Sequence, residues 1–206
     1  MNHSSQQEFW NQRYAESDYA YGDAPNAFVQ GQIWRLSEAG RVLLPGDGQG
    51  RNSVWLAQQG FDVTCVDWSE TGRARALELA ARHSVSIEPV LADLTAWLWP
   101  ESTFDAVVAV HLHLMPDARQ QVHRAMLQAL KPGGQILLEA FDQEQAGLNS
   151  GGPRNLAMLY SAEMLAEDFA EAEILMLERA QVVLDEGLYH QGVAEVVRMV
   201  AQQPAI

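Results

Sequence analysis

Three glycines at alternating positions are the first candidates for a chemical role. In the segment RVLLPGDGQG, Gly46, Gly48 and Gly50 follow a predicted strand and precede a predicted helix. Glycine lets the backbone turn sharply and lets a ligand approach the main chain, while a helix N-terminus attracts negative or strongly polar groups. The spacing therefore predicts a small-molecule site built largely from backbone atoms.

Two common ligand classes fit this spacing poorly. A P-loop requires Lys and then Ser or Thr after the last glycine, whereas this chain has Arg51 and Asn52 there. A dinucleotide-binding loop has its third glycine three residues after the second, at the position that Arg51 occupies. The P-loop interpretation is excluded, and a nicotinamide oxidoreductase is left as a distant alternative.

Strands and helices alternate around the glycines. Apolar strands are predicted at 41–44, 61–67, 87–93, 104–110 and 135–141, with helices between them. Two later apolar runs are separated only by DEGLYHQG, which is too short for a crossover helix, so they should form an antiparallel hairpin. The sequence predicts an α/β, Rossmann-like doubly wound sheet of five parallel strands plus a C-terminal antiparallel hairpin, seven strands in all, with helices on both faces.

Capping residues predict where several helices begin. Proline favours the first helical turn, so a short helix is expected to start at Pro25. The helix after the glycines is expected to start near Asn52 or Ser53, and Ser161 is expected to cap another. The segment KPGG, which precedes the fifth strand, is predicted to be a turn.

Composition limits the classes of partner. The chain has 206 residues, 48% of them hydrophobic, which suits one domain with one sizeable core. A net charge of -14 repels phosphate backbones, so no nucleic acid partner is expected. A single cysteine, Cys65, allows no internal disulfide. The opening segment lacks a basic flank and an apolar core, and no apolar run approaches membrane-spanning length, so we expect a cytoplasmic protein with no membrane partner.

The segment RVLLPGDGQGRNSVWLAQQGFDVTCVDWSE resembles the nucleotide-binding half of class I S-adenosylmethionine-dependent methyltransferases. Within that family it is similar to a small bacterial branch that includes tellurite-resistance and thiopurine-type methyltransferases. The segments FDAVVAV and LKPGG also match the family's fourth and fifth strands. The resemblance covers most of the chain and implies S-adenosyl-L-methionine as the cofactor.

The resemblance also assigns cofactor contacts to particular residues. Asp67, at the end of the second strand, would accept hydrogen bonds from the ribose hydroxyls, and Trp68 would lie against the adenine. Asp93 would meet the adenine amino group, and Leu94 would donate its backbone N–H to the ring. Many members have an acidic residue where this chain has Leu44, and Asp47 is the candidate substitute. The other implied contacts are Gly46, Gly48, Gly50, Asn52, and Tyr14 and Tyr21 of an N-terminal segment that folds across the cofactor in related enzymes.

Histidines are the candidates for proton transfer to and from an acceptor. His111 and His113 follow the fourth strand directly, beside the expected position of the transferred methyl group, and His190 lies in the hairpin segment. A histidine near its ordinary pKa can accept a proton, although each one can equally fill a pocket wall. An H-x-H pair can also bind a metal, but no third ligand is evident in the sequence, so no metal is expected.

These observations predict a methyltransferase acting on a small-molecule acceptor by in-line methyl transfer. The alternative is a protein that binds S-adenosylmethionine or S-adenosylhomocysteine without turnover, as a sensor or a partner subunit. We expect a single domain over 1–206, with an N-terminal helical lid at 1–40, a cofactor-binding core at 41–141, and a substrate-side loop, helix and hairpin at 142–206. The chain is expected to be a monomer or a homodimer.

Overall fold

The computed structural model describes residues 3–16 and 18–205. Its centre is one seven-stranded sheet in the order β3-β2-β1-β4-β5-β7-β6. The strands are β1 (Arg41–Pro45), β2 (Asp62–Asp67), β3 (Glu88–Leu91), β4 (Phe104–Val110), β5 (Leu130–Phe141), β6 (Glu173–Glu186) and β7 (His190–Gln202). The helices are α1 (His3–Ala15), α2 (Ala27–Gln32), α3 (Arg51–Gln58), α4 (Glu70–Arg82), α5 (Pro116–Ala129) and α6 (Ala162–Asp168).

The strand directions agree with the predicted fold class. β1 to β5 run parallel to one another, and β7 pairs antiparallel with both β5 and β6. The strand order reverses at β1 and β4, so the carboxyl ends of these two strands form the switch point where open α/β sheets bind ligands. The doubly wound sheet with a C-terminal hairpin is therefore confirmed.

Alternating residues of the strands build a core on each face of the sheet. Leu43 of β1 packs on one side in a cluster with Val122 of α5 and Leu165 of α6. The neighbouring Val42 packs on the other side in a cluster with Leu79 of α4. This alternation follows from the two-residue period of a strand, and it holds the loops at the carboxyl edge between two rigid layers.

Several predicted boundaries are wrong by a few residues. The hairpin loop is shorter than DEGLYHQG because pairing continues to Glu186 and His190, which face each other across a turn at Gly187 with φ +69°. KPGG lies within the bounds of β5 rather than in a separate turn, although pairing with β4 jumps from Leu130 to Gln135. Such an irregularity leaves intervening residues out of the ladder.

One predicted helix start is confirmed and one differs. α3 starts at Arg51 after its N-cap Gly50, which has φ +88°, so Asn52 and Ser53 lie near its start as predicted. The short helix α2 begins after Asn26 rather than at Pro25, because the Asn26 side chain accepts hydrogen bonds from the N–H groups of Phe28 and Val29. Ser161 caps α6 as predicted. In the ranges described, no helix is long and apolar enough to cross a membrane.

Candidate active site

The glycine loop lies at the carboxyl end of β1, as the sequence predicts. Gly46, Gly48 and Gly50 have φ values of +69°, +62° and +88°, which L side chains rarely adopt. A methyl group on Gly50 would lie 2.7 Å from Cβ of Ala76, so this glycine lets α3 pack closely against α4. A methyl group on Gly48 would lie 2.5 Å from the Tyr14 hydroxyl oxygen. The loop therefore exposes backbone rather than side chains at the switch point.

Asp67 stands beside this loop at the end of β2. Its Oδ2 accepts a hydrogen bond from the N–H of Gly48 at 2.9 Å, and its Oδ1 accepts one from the N–H of Ser69 at 2.8 Å. Burial raises the pKa of the Asp67 carboxyl to about 6, while these backbone donors act in the opposite direction. Each oxygen retains a lone pair for a further donor, so the carboxylate can bind a pair of hydroxyl groups.

The residues after β2 and β3 lie at the same edge. The N–H of Ala92 donates to the Asp67 carbonyl oxygen at 3.0 Å, which brings the segment that contains Asp93 next to Asp67. Asp93 Oδ1 accepts hydrogen bonds from the N–H and the hydroxyl of Thr95, which fix the turn after β3. Leu94 in this turn is buried, and Trp68 is half-buried.

Asp47 is half-buried and Asn52 is buried close to the loop, and each makes a different contact. Asp47 Oδ2 accepts a hydrogen bond from the Ser53 hydroxyl. Asp47 Oδ1 has no hydrogen-bond partner within the part of the chain that the structure describes, and burial raises the pKa of this carboxyl to about 6. Asn52 Oδ1 accepts the N–H of Asn26 at 2.9 Å, so this side chain holds the N-terminal segment.

The N-terminal segment runs across the carboxyl edge. Trp10 and Tyr14, four residues apart and therefore on one face of α1, stack with ring centroids 5.4 Å apart. Tyr14 is buried against Gly48 and Gly72. A space of about 10 Å³ between the loop, Asp67 and β3 is close to the size of one water molecule. The segment covers the loop through the Tyr14 ring.

Polar contacts hold this segment in place. The Gln49 side chain accepts the N–H of Ala20 at 2.7 Å and donates to the carbonyl oxygen of Asp18 at 3.1 Å. The Ser69 hydroxyl donates to the Asn11 side chain at 2.7 Å. Gln49 was not identified by sequence reasoning, because a glutamine inside a glycine loop gives no sign of its distant partners.

His111 has the geometry of a functional side chain. It follows β4 with φ +51°, a strained conformation for a residue with a Cβ. Its side chain is 7% exposed and its ring stacks on Phe141 at 4.4 Å between centroids. Within 3–16 and 18–205, neither ring nitrogen has a hydrogen-bond partner. Burial lowers the pKa of His111 well below its usual value, so the ring is neutral.

The other two candidate histidines have different surroundings. His113 donates from Nδ1 to the Met158 carbonyl oxygen at 2.7 Å and accepts the Phe141 N–H at Nε2 at 3.2 Å, so both of its nitrogens are occupied. His190 lies close to His111, with ring centroids 4.8 Å apart. The structure thus brings His111 and His190 together and ties His113 to the backbone.

Two buried carboxylates complete this cluster. Glu139 is 2% exposed, and its Oε1 lies 3.6 Å from Nε2 of His111. Glu186 Oε2 lies 3.8 Å from the same nitrogen and 3.3 Å from Nδ1 of His190. Arg51 donates to Glu186 Oε2 at 2.9 Å and, with His190, holds the pKa of this carboxyl well below its usual range, against the effect of burial.

Sequence reasoning missed both carboxylates. Glu139 is the one charged residue in the apolar run QILLEAF, which was an available signal for a buried functional or paired group. Glu186 carries no comparable signal, because its partner Arg51 is distant in the sequence. His111, Glu186 and His190 place three ligand-type atoms within 4.8 Å of one another, but His113, the second histidine of the H-x-H pair, is not among them.

The residues at the switch point fit the cofactor that the resemblance implies. The glycine loop leaves backbone exposed where any Cβ would collide, Asp67 keeps acceptor capacity for hydroxyl groups, and Asp47 has a buried oxygen without a partner in the described ranges. These groups suit the polar nucleoside and amino acid ends of S-adenosylmethionine.

Comparisons with known proteins agree with this geometry. A family model described as a methyltransferase domain matches residues 42–134. A thiopurine S-methyltransferase from Legionella pneumophila is 23% identical over 92% of this chain and 94% of its own length.

Solved structures share the fold. TehB from Haemophilus influenzae superposes with a TM-score of 0.70 at 22% identity, covering 85% of this chain and 61% of that one. The N-methyltransferase NodS from Bradyrhizobium japonicum, in complex with S-adenosyl-L-homocysteine, superposes with a TM-score of 0.71 at 20% identity, covering 96% and 98% of the two chains.

Proposed function

We propose that this chain, a class I S-adenosylmethionine-dependent methyltransferase, methylates a small molecule bound beside His111. The main support for the proposal is that the carboxyl edge of the sheet is enclosed. The N-terminal segment and the hairpin turn meet above His111, where Gly22 and Gly187 approach so closely that a Cβ on Gly187 would collide with the Gly22 backbone. A closed edge of this kind excludes water and favours a small acceptor over a polymer.

S-adenosylmethionine, when bound, supplies a methyl group that is already activated for transfer. The chain's residues then have mainly to bind, orient and exclude water. We assign ribose binding to Asp67, adenine contacts to Trp68, Asp93 and Leu94, and the remaining cofactor contacts to the glycine loop with Asp47. Asn52 acts through Asn26 of the N-terminal segment, as a positioning residue.

His111 is the proposed proton acceptor, since it is neutral, buried and free at both nitrogens within the described ranges. His190 assists by holding Glu186 close to it. His113 positions Phe141, on which the His111 ring stacks, because both of its nitrogens already have backbone partners. This division of roles narrows the three histidine candidates to one proton acceptor and two positioning residues.

The N-terminal part, 1–40, is proposed to be a lid on the core at 41–141, with 142–206 supplying the acceptor side. Tyr14 covers the glycine loop, and Tyr21 contacts His190 with ring centroids 4.4 Å apart. Both tyrosines then face the region of the sulfonium, where an aromatic ring attracts a cation by about 0.5 to 2 kcal/mol.

The net charge of -14 supports a partner other than nucleic acid. Two of the similar proteins support a small acceptor: one is a thiopurine S-methyltransferase and another is an N-methyltransferase. A buried, unpaired cysteine, Cys65, is compatible with a reducing cytoplasm. We propose a cytoplasmic monomer or homodimer that needs no partner chain for its chemistry.

Calorimetry with S-adenosylhomocysteine and an acceptor screen that follows its release from S-adenosylmethionine test the proposal together. Binding with turnover of one or more small acceptors supports it. Cofactor binding without turnover of any small molecule overturns the proposal and favours the non-catalytic binding protein. Stoichiometric labelling of purified tRNA also overturns it. Absence of binding, combined with tight NADH binding, would favour the oxidoreductase.

A further inference from the structure

The loop between β4 and α5, residues 111–115, carries His111 and lies outside the helices and strands. It also borders the glycine loop, because a methyl group on Gly46 would lie 2.8 Å from Cδ1 of Leu112. A displacement of this β4–α5 loop would therefore move His111 and disturb the surface against the glycine loop at the same time. Its position must be fixed by contacts other than those of a regular ladder.

One buried hydroxyl group holds two backbone groups of the β4–α5 loop. Tyr160 is fully buried, and its hydroxyl donates to the carbonyl oxygen of Leu112 at 2.8 Å. The same hydroxyl accepts a hydrogen bond from the N–H of Leu114 at 3.2 Å. These bonds use the single hydrogen and one lone pair of the phenol, and they hold the chain on both sides of His113.

The backbone of Tyr160 is attached to the end of β5. Its N–H donates to the carbonyl oxygen of Phe141 at 3.1 Å, and its carbonyl oxygen accepts the N–H of Gln143 at 2.9 Å. Because β5 pairs with β4, the phenol reaches from the end of one strand to the loop that follows its neighbour. The sheet therefore fixes the residue that fixes the loop.

A buried ion-paired group on α5 and α6 surrounds the Tyr160 ring. Asp168 accepts hydrogen bonds from Nε of Arg119 at 2.7 Å and from Nδ1 of His123 at 2.8 Å, and all three side chains are almost fully buried. The His123 ring meets the Tyr160 ring edge-on at 5.6 Å, and the Arg119 guanidinium lies 5.7 Å from the centre of the same ring. A satisfied polar network of this kind is rigid, so it limits rotation of the phenol.

The Tyr160 hydroxyl is suited to holding a loop rather than to exchanging a proton. Burial raises the pKa of this phenol well above its usual value, so the hydroxyl keeps its proton at neutral pH. Both of its hydrogen bonds go to backbone groups of one loop.

We propose that Tyr160 is a positioning residue for methyl transfer, whose hydroxyl holds the β4–α5 loop against the glycine loop and so fixes His111 relative to the bound cofactor. The inference rests on the proposed function and adds a residue that acts through backbone atoms. Transfer depends on alignment, and a displacement of about 1 Å can lower a rate by about 10²-fold.

Tyr160→Phe tests the inference, because it removes the hydroxyl and keeps the ring. Methyl transfer from S-adenosylmethionine is measured in the acceptor screen, with 6-mercaptopurine and 2-phenylethylamine as the first probes. We expect kcat to fall by about 10- to 100-fold. The KM for S-adenosylmethionine and the affinity for S-adenosylhomocysteine should change by less than about threefold, since the residues assigned to the cofactor stay in place.

Ser161→Ala is the matched control at the next position in the chain. It removes a hydroxyl that caps α6 by accepting the N–H of Met164 at 3.3 Å, a bond that does not involve the β4–α5 loop. Both variants should lower the free energy of unfolding, but only Tyr160→Phe should lower kcat. A residue that served stability alone would give the same kcat in both variants.

Amide hydrogen exchange in the wild-type protein tests the contact without any substitution. The Leu114 N–H is in a loop, yet its bond to the buried hydroxyl should protect it. We expect its protection factor to exceed that of the exposed Met115 by at least about tenfold. This measurement decides the matter if Tyr160→Phe does not fold.

Three results would overturn the inference and leave the proposed function in place. They are an unprotected Leu114 N–H, a Tyr160→Phe variant that keeps the kcat of an active wild type, and an equal loss of kcat in Ser161→Ala. A wild type that binds the cofactor and transfers its methyl group to no acceptor in the screen refutes both the proposed function and the inference.

Discussion

The rings of Tyr21 and His190 lie 4.4 Å apart between centroids, which joins the N-terminal segment to the turn between β6 and β7. His190 in turn contacts His111 at 4.8 Å, so a continuous row of rings leads from the covering segment to the proposed proton acceptor. Movement of the segment therefore changes the surroundings of His111 directly. The proposed lid and the proposed acceptor site are parts of one structural unit.

Replacing His111 by Asn should remove the proton acceptor without altering the backbone. Asn tolerates positive φ better than other side chains, so the strained conformation at this position is preserved. We expect kcat to fall by about 10²- to 10⁴-fold, the usual contribution of a positioned base. S-adenosylhomocysteine affinity, measured by calorimetry, should stay within about twofold.

His83→Asn is the control for that variant, because His83 is exposed at the end of α4 and its side chain hydrogen-bonds the exposed Gln58. This control should keep full activity. If His111→Asn retains wild-type kcat with the preferred acceptor, His111 is a wall residue and the proposed proton transfer is wrong.

Cofactor binding should depend on the ionisation of Asp67. Ribose hydroxyls donate to the carboxylate, so the protonated form, populated below the raised pKa of about 6, binds more weakly. Affinity should fall about tenfold as the pH is lowered from 7.5 to 5. In Asp67→Asn, affinity should be weaker throughout and should lose part of this pH dependence. Calorimetry over that pH range measures both effects.

Asp47 must be tested in parallel, because burial raises its pKa to about 6 as well. Asp47→Asn separates the two titrations: if all of the pH dependence of affinity disappears in this variant and none in Asp67→Asn, the ribose assignment is wrong.

The stability of the ligand-free protein should change with pH in the opposite direction. A folded-state pKa above the unfolded 3.8 means that the folded state binds protons more tightly, so this part of the stability declines as the pH rises from about 4 to 6.

Gly50→Ala should destabilise the protein more than Gly60→Ala. Both glycines have positive φ, +88° and +92°, so both variants pay the left-handed strain of about 1 to 2 kcal/mol. Only Gly50 also lacks space, because its methyl group would lie 2.7 Å from Ala76, whereas nothing lies within 4 Å at Gly60. The extra overpacking should cost about 1 to 3 kcal/mol in the free energy of unfolding, measured in urea. Equal losses would show that α3 and α4 can separate freely.

Much of the fold was predictable because it follows from local pattern. Apolar strands that alternate with helices dictate a parallel sheet with both faces covered, and the structure has it. The errors lie where pairing extends beyond the apolar run. Glu186 and His190 are polar residues that still pair across the hairpin, because β6 and β7 stay paired beyond Val196, where β7 leaves β5.

The candidate site was predictable only in part, for a related reason. The family resemblance and the shared edge of parallel strand ends together pointed to Asp67 and Asp93, and the structure places the segments that contain them side by side. The pair Arg51–Glu186 and the contact between Asn26 and Glu139 join residues far apart in the sequence, and neither member shows its partner locally. Long-range polar contacts of this kind depend on side-chain packing that periodicity does not encode.

Deleting residues 1–22 should leave a folded domain that binds its cofactor weakly. The buried members of the three hydrophobic core clusters begin at Phe28, so the sheet core survives the deletion. The glycine loop loses the Tyr14 ring that covers Gly48, and water gains access to the edge. We expect a weaker affinity for S-adenosylhomocysteine, faster dissociation, and little or no methyl transfer.

Gln49→Ala tests the same device without removing any residue of the segment. Its side chain holds both Ala20 and Asp18, so the variant should loosen the cover and leave the buried Ala20 N–H unpaired, at a cost of about 1 to 3 kcal/mol to the closed state. Dissociation of the cofactor product, followed by stopped flow, should be faster than in the wild type and slower than in the deletion. That order of dissociation rates is specific to a lid. If α1 only packed on the domain, loosening it would lower the free energy of unfolding and leave the dissociation rate unchanged. A deletion variant that binds as tightly as the full chain would mean that α1 is a packing helix.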